Sequence, residues 1–115
     1  MGSVKYGVNH LHTPLLIIVG HSNCGAVTAA MSDYSKLEPS IIQELNTLHL
    51  PKGLSNIDGV KRNVHNQVAF ALKKFNHLVS EDKLLVVGAI YDFSNDLKKG
   101  AGEFVVINIQ GKMVA

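Results

Sequence analysis

A chain of 115 residues, 46% apolar, with eleven basic against nine acidic residues and a formal charge of +2 has material for one hydrophobic core and reads as a single domain, 1–115. Its lysines are scattered over several segments, which argues against nucleic acid as a partner; no apolar run approaches the ~18 residues of a membrane span, and the first residues lack the apolar core of a secretion signal, so a cytoplasmic protein without a membrane partner is expected. The only cysteine, Cys24, excludes an intramolecular disulfide and any zinc site built from several cysteines of one chain.

In chain order, Val4, Val8 and Leu11 share one face of a short helix over Ser3–Leu11, with Ser3 as N-cap and Thr13-Pro14 as its stop. Leu15–Val19 is an unbroken apolar run that predicts a strand buried on both faces, the kind found in parallel sheets covered by helices. Gly20 and Gly25 bracket a tight turn, and the Ala-rich segment Cys24–Met31 predicts a helix whose first turn carries the cysteine. Ser32, Asp33 and Ser35 mark a break. A helix starts near Pro39 and presents Ile41, Ile42, Leu45 and Leu48 until Pro51 and Gly53 stop it.

The clearest periodicity runs from Asn56 to Leu78, where Ile57, Val60, Val64, Val68, Ala71, Leu72, Phe75 and Leu78 recur at three-and-four spacing on a long helix that packs on a sheet. Glu81-Asp82-Lys83 form a turn. Leu84–Val87 makes a second buried strand leading through Gly88 to Tyr91-Asp92, a polar loop covers Asn95–Gly102, and Glu103–Ile109 alternates into a last strand closed by Gln110-Gly111-Lys112. Three strands interleaved with helices give an α/β layer fold.

The chemistry concentrates at the carboxyl end of the first strand, where open α/β sheets place their ligands. His21 and Cys24 stand three apart on a turn entering a helix, so imidazole and sulfur converge on one point. Both are good zinc ligands, and a thiol at a helix N-terminus is also favoured as thiolate without metal. The competing reading is a small core cysteine beside a chance histidine. His10 and His12 precede the strand, and its five residues span roughly 16 Å, which puts them at the wrong end. Asp92 follows the second strand and reads as a turn aspartate at the same sheet edge. His49 and Asp33 are not placed by the sequence; His65 flanks Val64 on the long helix and reads as a solvated or boundary histidine, His77 near that helix's end favours its dipole, and Tyr6, Tyr34 and Tyr91 read as packing residues with a polar tip.

Gly20-His21-Ser22-Asn23-Cys24-Gly25-Ala26-Val27 after an apolar strand resembles the central zinc motif of the β-class carbonic anhydrases. Val4-Lys5-Tyr6-Gly7-Val8 resembles that family's helix leading into the strand, Asn63-Val64 and Gln67-Val68 its long-helix pattern, and Gly88-Ala89-Ile90-Tyr91-Asp92 its late strand. The resemblance implies a three-layer α/β/α fold with a mostly parallel sheet, truncated to the C-terminal portion of the family fold. It also implies that His21 and Cys24 are two of three protein ligands to a zinc ion, which generates the hydroxide that converts carbon dioxide to bicarbonate. The family's other zinc cysteine lies in a Cys-x-Asp-x-Arg motif, and none occurs in this sequence. Neither the third ligand nor the Asp/Arg pair is carried over, and catalytic residues remain unassigned.

The strand bearing that motif pairs beside the first strand in the family, so here the edge of Leu15–Val19 is expected to be open. An open apolar edge needs covering, which predicts a homo-oligomer; two chains bringing His21 and Cys24 together would supply four ligands. The readings to separate are a zinc-binding carbonic anhydrase relative, a non-catalytic oligomerising or regulatory module, and a metal-free thiol or anion site at Cys24.

Overall fold

A computed structural model describes Gly2–Val114. The chain begins with a single helical turn, α1 (Gly2–Lys5), that widens into a π-helical segment over Tyr6–His10. The Leu11 N–H reaches back to the Tyr6 carbonyl at 3.2 Å, an i→i+5 bond that alters the facial register of the helix. This is why the expected Val4–Val8–Leu11 face does not form: Val8 is buried, but Leu11 is 63% exposed.

Strand β1 (Leu15–His21) leads to α2 (Gly25–Ala30), then α3 (Pro39–Asn46), α4 (Asn56–Lys74), α5 (Asn76–Ser80), β2 (Leu85–Asp92), β3 (Glu103–Ile109) and a two-residue β4 (Lys112–Met113). The expected single helix over Asn56–Leu78 is divided at Phe75, whose φ of −110° and ψ of 28° end α4 before α5 restarts. Ser55 caps α4 by accepting the Asp58 N–H. The short β4 was not visible as a strand; Gln110 and Gly111, both at positive φ, form the two-residue turn that folds it back onto β3.

The sheet order is β1-β2-β3-β4. β1 and β2 are parallel, joined by a crossover through the helices, whereas β2–β3 and β3–β4 are antiparallel. The α/β class therefore stands, but the sheet is mixed rather than mostly parallel. The segment between β2 and β3 carries no crossover helix, and without one a strand can only return antiparallel.

The core lies between this sheet and α4. Val60, Val64, Val68, Ala71 and Phe75 meet Leu84, Val86, Ile90, Val105 and Ile107, all buried. Contact is close because Gly20 and Gly88 face the helix: a Cβ at Gly20 would lie 2.8 Å from Val64 Cγ2 and 2.9 Å from Val60 Cγ1, and one at Gly88 would lie 2.7 Å from Val64 Cγ1. The two strands present glycine where the valine ridge of α4 crosses them.

The other face of the sheet corrects the expectation of a three-layer fold with β1 buried on both sides. Along β1 the residues alternate, with Leu16, Ile18 and Gly20 half-buried and Leu15, Ile17, Val19 and His21 exposed. Leu15 pairs with Leu85 and His21 with Tyr91, while Tyr91 pairs with Phe104 and Val87 with Ile109. The exposed side chains of three adjacent strands thus form one apolar surface, and the described residues make two layers, sheet and helices. β1 stands at the sheet edge, as expected.

Candidate metal centre

His21 is the last residue of β1, not a turn residue. The register pairing His21 with Tyr91 and the Ser22 N–H bond to the Tyr91 carbonyl at 3.1 Å fix where the strand stops. Asn23 then takes a positive φ of 57°, a conformation asparagine tolerates better than most residues, and reverses the chain into α2. Cys24 is the N-cap of that helix, extended at φ −70° and ψ 117°, and its side chain makes no capping hydrogen bond. The side chain is half-buried and packs against the core cluster.

The orientation of His21 follows from one contact. Its Nδ1 lies 2.9 Å from the Ser22 carbonyl oxygen. A carbonyl only accepts, so Nδ1 carries the proton and Nε2 holds the free lone pair, the arrangement in which metal-ligating imidazoles are fixed by a backbone partner. The ring stacks on Phe93 at a centroid distance of 6.1 Å, and Phe93 in turn lies 6.5 Å from Tyr91.

Beneath the turn lies a polar knot that the sequence did not reveal. Ser22 and Asp92 are both fully buried. The Asp92 carboxylate accepts from Leu97 N–H at 2.8 Å and Asp96 N–H at 3.0 Å, and Ser22 Oγ accepts from Ser94 N–H at 3.2 Å. Burial alone would raise the Asp92 pKa; the Leu97 and Asp96 N–H groups, the Ser22 hydroxyl and Ser94 outweigh it and hold the carboxyl below 3.8. Asp92 is thus the last residue of β2, at the expected sheet edge, and it ties the loop that follows to Ser22, between His21 and Cys24.

A depressed folded-state pKa means that the unfolded chain takes up the proton first as pH falls. The stability Asp92 contributes is therefore complete above the ordinary value of 3.8 and disappears as pH falls through the lower folded value. In urea titrations, Asp92→Asn is expected to lower the unfolding midpoint at about pH 5 and to narrow its gap to the wild type at about pH 3. A gap that stays constant between the two would refute this role.

Asn56 holds Cys24 from α4. Its amide accepts the Cys24 N–H at 3.2 Å, donates to the Cys24 carbonyl at 2.8 Å and donates to Thr28 Oγ1 at 2.7 Å. Cys24 and Asn56 are 32 residues apart, and an asparagine after the Ser55 cap carries no local sign of such a partner.

The remaining histidines lie elsewhere. His12 lines a cleft with Thr13, Pro14, Asp82 and Lys83, at the amino end of β1 and away from His21, and His10 is exposed in the preceding π segment. His49 lines a separate cleft with Asn46, Asn66 and Phe70. His65 Nδ1 lies 2.8 Å from Asn108 Nδ2, while Asn108 Oδ1 accepts from Gly111 N–H at 2.8 Å. The amide therefore offers its N–H to a neutral imidazole, whose pKa burial and, secondarily, Lys61 hold below 6.5. His77 is exposed on α5. Asp33 is engaged in a turn, accepting from Ser35 Oγ at 2.7 Å. Tyr6 and Tyr91 are exposed rather than packed, at 59% and 45%.

Imidazole Nε2 and an uncapped thiol suit zinc in donor chemistry. Among the described residues, no group of three or more His, Cys, Asp or Glu converges to complete a metal site. His21 and Cys24 fit the ion by ligand type but supply two donors.

The family model for carbonic anhydrase matches residues 1–101. Carbonic anhydrase 2 of Mycobacterium tuberculosis is 27% identical, the match covering 83% of this chain and 52% of that protein. The carbonic anhydrase of Mycolicibacterium smegmatis is 25% identical, with 90% and 54% covered. Among solved structures, the β-carbonic anhydrase CcaA superposes with a TM-score of 0.73 at 20% identity over 93% of this chain and 52% of that one. The Coccomyxa β-carbonic anhydrase, solved with acetazolamide, gives 0.66 at 24% identity over 80% and 48%. A tetrameric β-carbonic anhydrase of Sordaria macrospora gives 0.70 at 18% identity over 99% and 60%. The chain spans about half the length of the two mycobacterial relatives. With the family match running through most of the sequence and the sheet and helices superposing on β-class structures, this chain belongs to the β-carbonic anhydrase family.

Proposed function

We propose that this chain, corresponding to the C-terminal portion of the family fold over 1–115, is a zinc-binding, cytoplasmic β-carbonic anhydrase relative in which His21 Nε2 and Cys24 Sγ are the metal ligands. The observation that carries the reading is the His21 Nδ1 contact with the Ser22 carbonyl at 2.9 Å, which leaves Nε2 free, three residues before a cysteine whose side chain caps nothing. Zinc held there supplies, when bound, the Lewis acid of carbon dioxide hydration. The chain's own residues orient the two donors: Ser22 and Asp92 hold the turn from below, and Phe93 stacks on the imidazole.

Two donors from one chain are fewer than the three or four protein ligands zinc takes, and the open apolar face needs covering. Both features support assembly with a second copy, in line with the relative from Sordaria macrospora, which is tetrameric. They also favour a second reading, a non-catalytic oligomerising module that keeps a structural zinc. Metal analysis combined with stopped-flow hydration of carbon dioxide separates the two. Zinc with turnover identifies the enzyme, zinc at one ion per two chains without turnover identifies the module, and no zinc in a reduced, metal-supplemented preparation refutes both. Cys24→Ser is expected to remove zinc retention through gel filtration while shifting the melting temperature of the metal-free protein by no more than a few degrees. A Cys24→Ser protein that still retains one zinc per site would refute the ligand assignment.

A further inference from the structure

Cys24 is held by a residue from a different helix. One side-chain amide, that of Asn56, bonds both backbone polar groups of Cys24: its Oδ1 accepts the N–H at 3.2 Å and its Nδ2 donates to the C=O at 2.8 Å. The orientation of the amide is unambiguous, because a backbone N–H only donates and a carbonyl only accepts. Such a pair imitates a neighbouring strand. It stabilises Cys24 in the extended conformation observed, φ −70° and ψ 117°, against winding into α2, where ψ would fall to roughly −42° and the thiol would turn away from its present direction.

The surroundings make the clamp rigid. Asn56 occupies the first turn of α4, immediately after the Ser55 cap. Three residues on, and so on the same face of the helix, Gly59 takes α2 into close contact: a Cβ there would lie 2.6 Å from Met31 Sδ and 2.7 Å from Val27 Cγ1. The same amide reaches Thr28 Oγ1 at 2.7 Å, one turn into α2. The amide is therefore fixed at three points, to Cys24 and to the helix that Cys24 begins. The thiol itself takes no part in these bonds.

We infer that Asn56 is a positioning residue for Cys24: it fixes the backbone of the cysteine, and so the direction of its sulfur relative to His21, without touching the metal. This rests on the assignment of Cys24 as a zinc ligand, and the test separates the two. Backbone amide exchange of Cys24 in the metal-free protein reads the clamp alone; cobalt(II) titration, followed by the sulfur-to-cobalt charge-transfer band, reads its consequence for metal.

Asn56→Ala is expected to speed exchange of the Cys24 amide at least about tenfold and to weaken cobalt(II) binding by about ten- to a hundredfold, the usual effect of losing a partner that orients a ligand. Asn56→Asp, which keeps the acceptor for the Cys24 N–H but sets an oxygen against its carbonyl, should protect the amide partly and still bind cobalt(II) more weakly than the wild type. Thr28→Val removes only the third bond and should leave both readings near wild type, so it controls for loosening of the α2–α4 contact.

Unchanged Cys24 exchange in Asn56→Ala overturns the clamp. Faster exchange with unchanged cobalt(II) affinity, or a loss of affinity in Thr28→Val equal to that in Asn56→Ala, overturns the positioning role. A wild-type protein that gives no charge-transfer band overturns the zinc assignment and the positioning role that rests on it. The hold of Asn56 on Cys24 is decided by the exchange measurement in every case.

Discussion

The double variant Ile17→Lys, Val19→Lys is expected to be monomeric by light scattering at micromolar concentration, where the wild-type chain is expected to be a dimer or larger. Eight side chains on or beside the open sheet face, Leu15, Ile17, Val19, Leu85, Tyr91, Phe93, Phe104 and Ile109, are 42–53% exposed. Together they present on the order of 700 Å² of apolar surface, close to the roughly 800 Å² per partner of a standard interface, and beyond the few hundred Å² that monomers ordinarily leave open.

Ile17 and Val19 lie within that face but outside the α4 core, so lysine at either position leaves Val60, Val64 and Val68 packed as they are. In an assembly covering the face, each lysine would have to be desolvated or excluded. That costs several kcal/mol per charge, enough to raise the dissociation constant by at least about a hundredfold. A wild-type chain that is monomeric at micromolar concentration would sink the proposal. So would a double variant that assembles as tightly as the wild type. Because His21 belongs to the same face, assembly and zinc retention are expected to fall together in the variant.

The second large effect concerns the contact between the end of β1 and α4 at Gly20. Gly20→Ala is expected to destabilise the protein by about 1–3 kcal/mol, read as a lower urea midpoint. Its Cβ would meet Val64 Cγ2 at 2.8 Å and Val60 Cγ1 at 2.9 Å, and both partners are β-branched residues inside a helix, with little rotamer freedom to move aside. Val64→Ala alone should also destabilise, by about 1.5–3 kcal/mol, since Val64 is buried and loses its apolar contacts. The two changes made together should cost less than their sum by about 1 kcal/mol or more, because the shortened helix side chain admits the new methyl group. Relief is incomplete while Val60 remains. Strict additivity would show that strand and helix separate freely at Gly20, and the close packing described above would then not govern the position of the strand end.

Several features follow from local physics and were legible in the chain. The three-and-four spacing of Val60, Val64, Val68 and Ala71 gives α4 and its buried face, and a hydrophobic stripe at that spacing has few other solutions. Pro39 opens α3, Glu103–Ile109 alternates as a strand, and the glycine-bracketed turn after Leu15–Val19 leads into a helix. The family resemblance carried by His21, Cys24 and their neighbours needs only the linear order of residues, and the matched family agrees with it.

Other features depend on which groups the fold brings together. The run Leu15–Val19 looks the same whether one face is covered or two, since composition reports hydrophobicity and not the presence of a second layer. Only the tertiary structure shows that Leu15, Ile17 and Val19 form an open face. Whether β3 runs parallel or antiparallel was settled by the lack of a crossover helix between it and β2. The π-helical turn at Tyr6–His10, the break at Phe75 and the two-residue β4 arise from packing and turn geometry that periodicity does not encode.

At the site, the sequence by itself offered two side chains of metal-binding type near the carboxyl end of one strand. The tertiary structure decided how they are held: the Ser22 carbonyl sets the tautomer of His21, Asp92 anchors the turn, and Asn56 clamps Cys24 from 32 residues away. A donor's chemical identity resides in one residue. Its orientation depends on hydrogen bonds to groups distant in sequence, which come within reach only when α2, α4 and β2 pack around the end of β1.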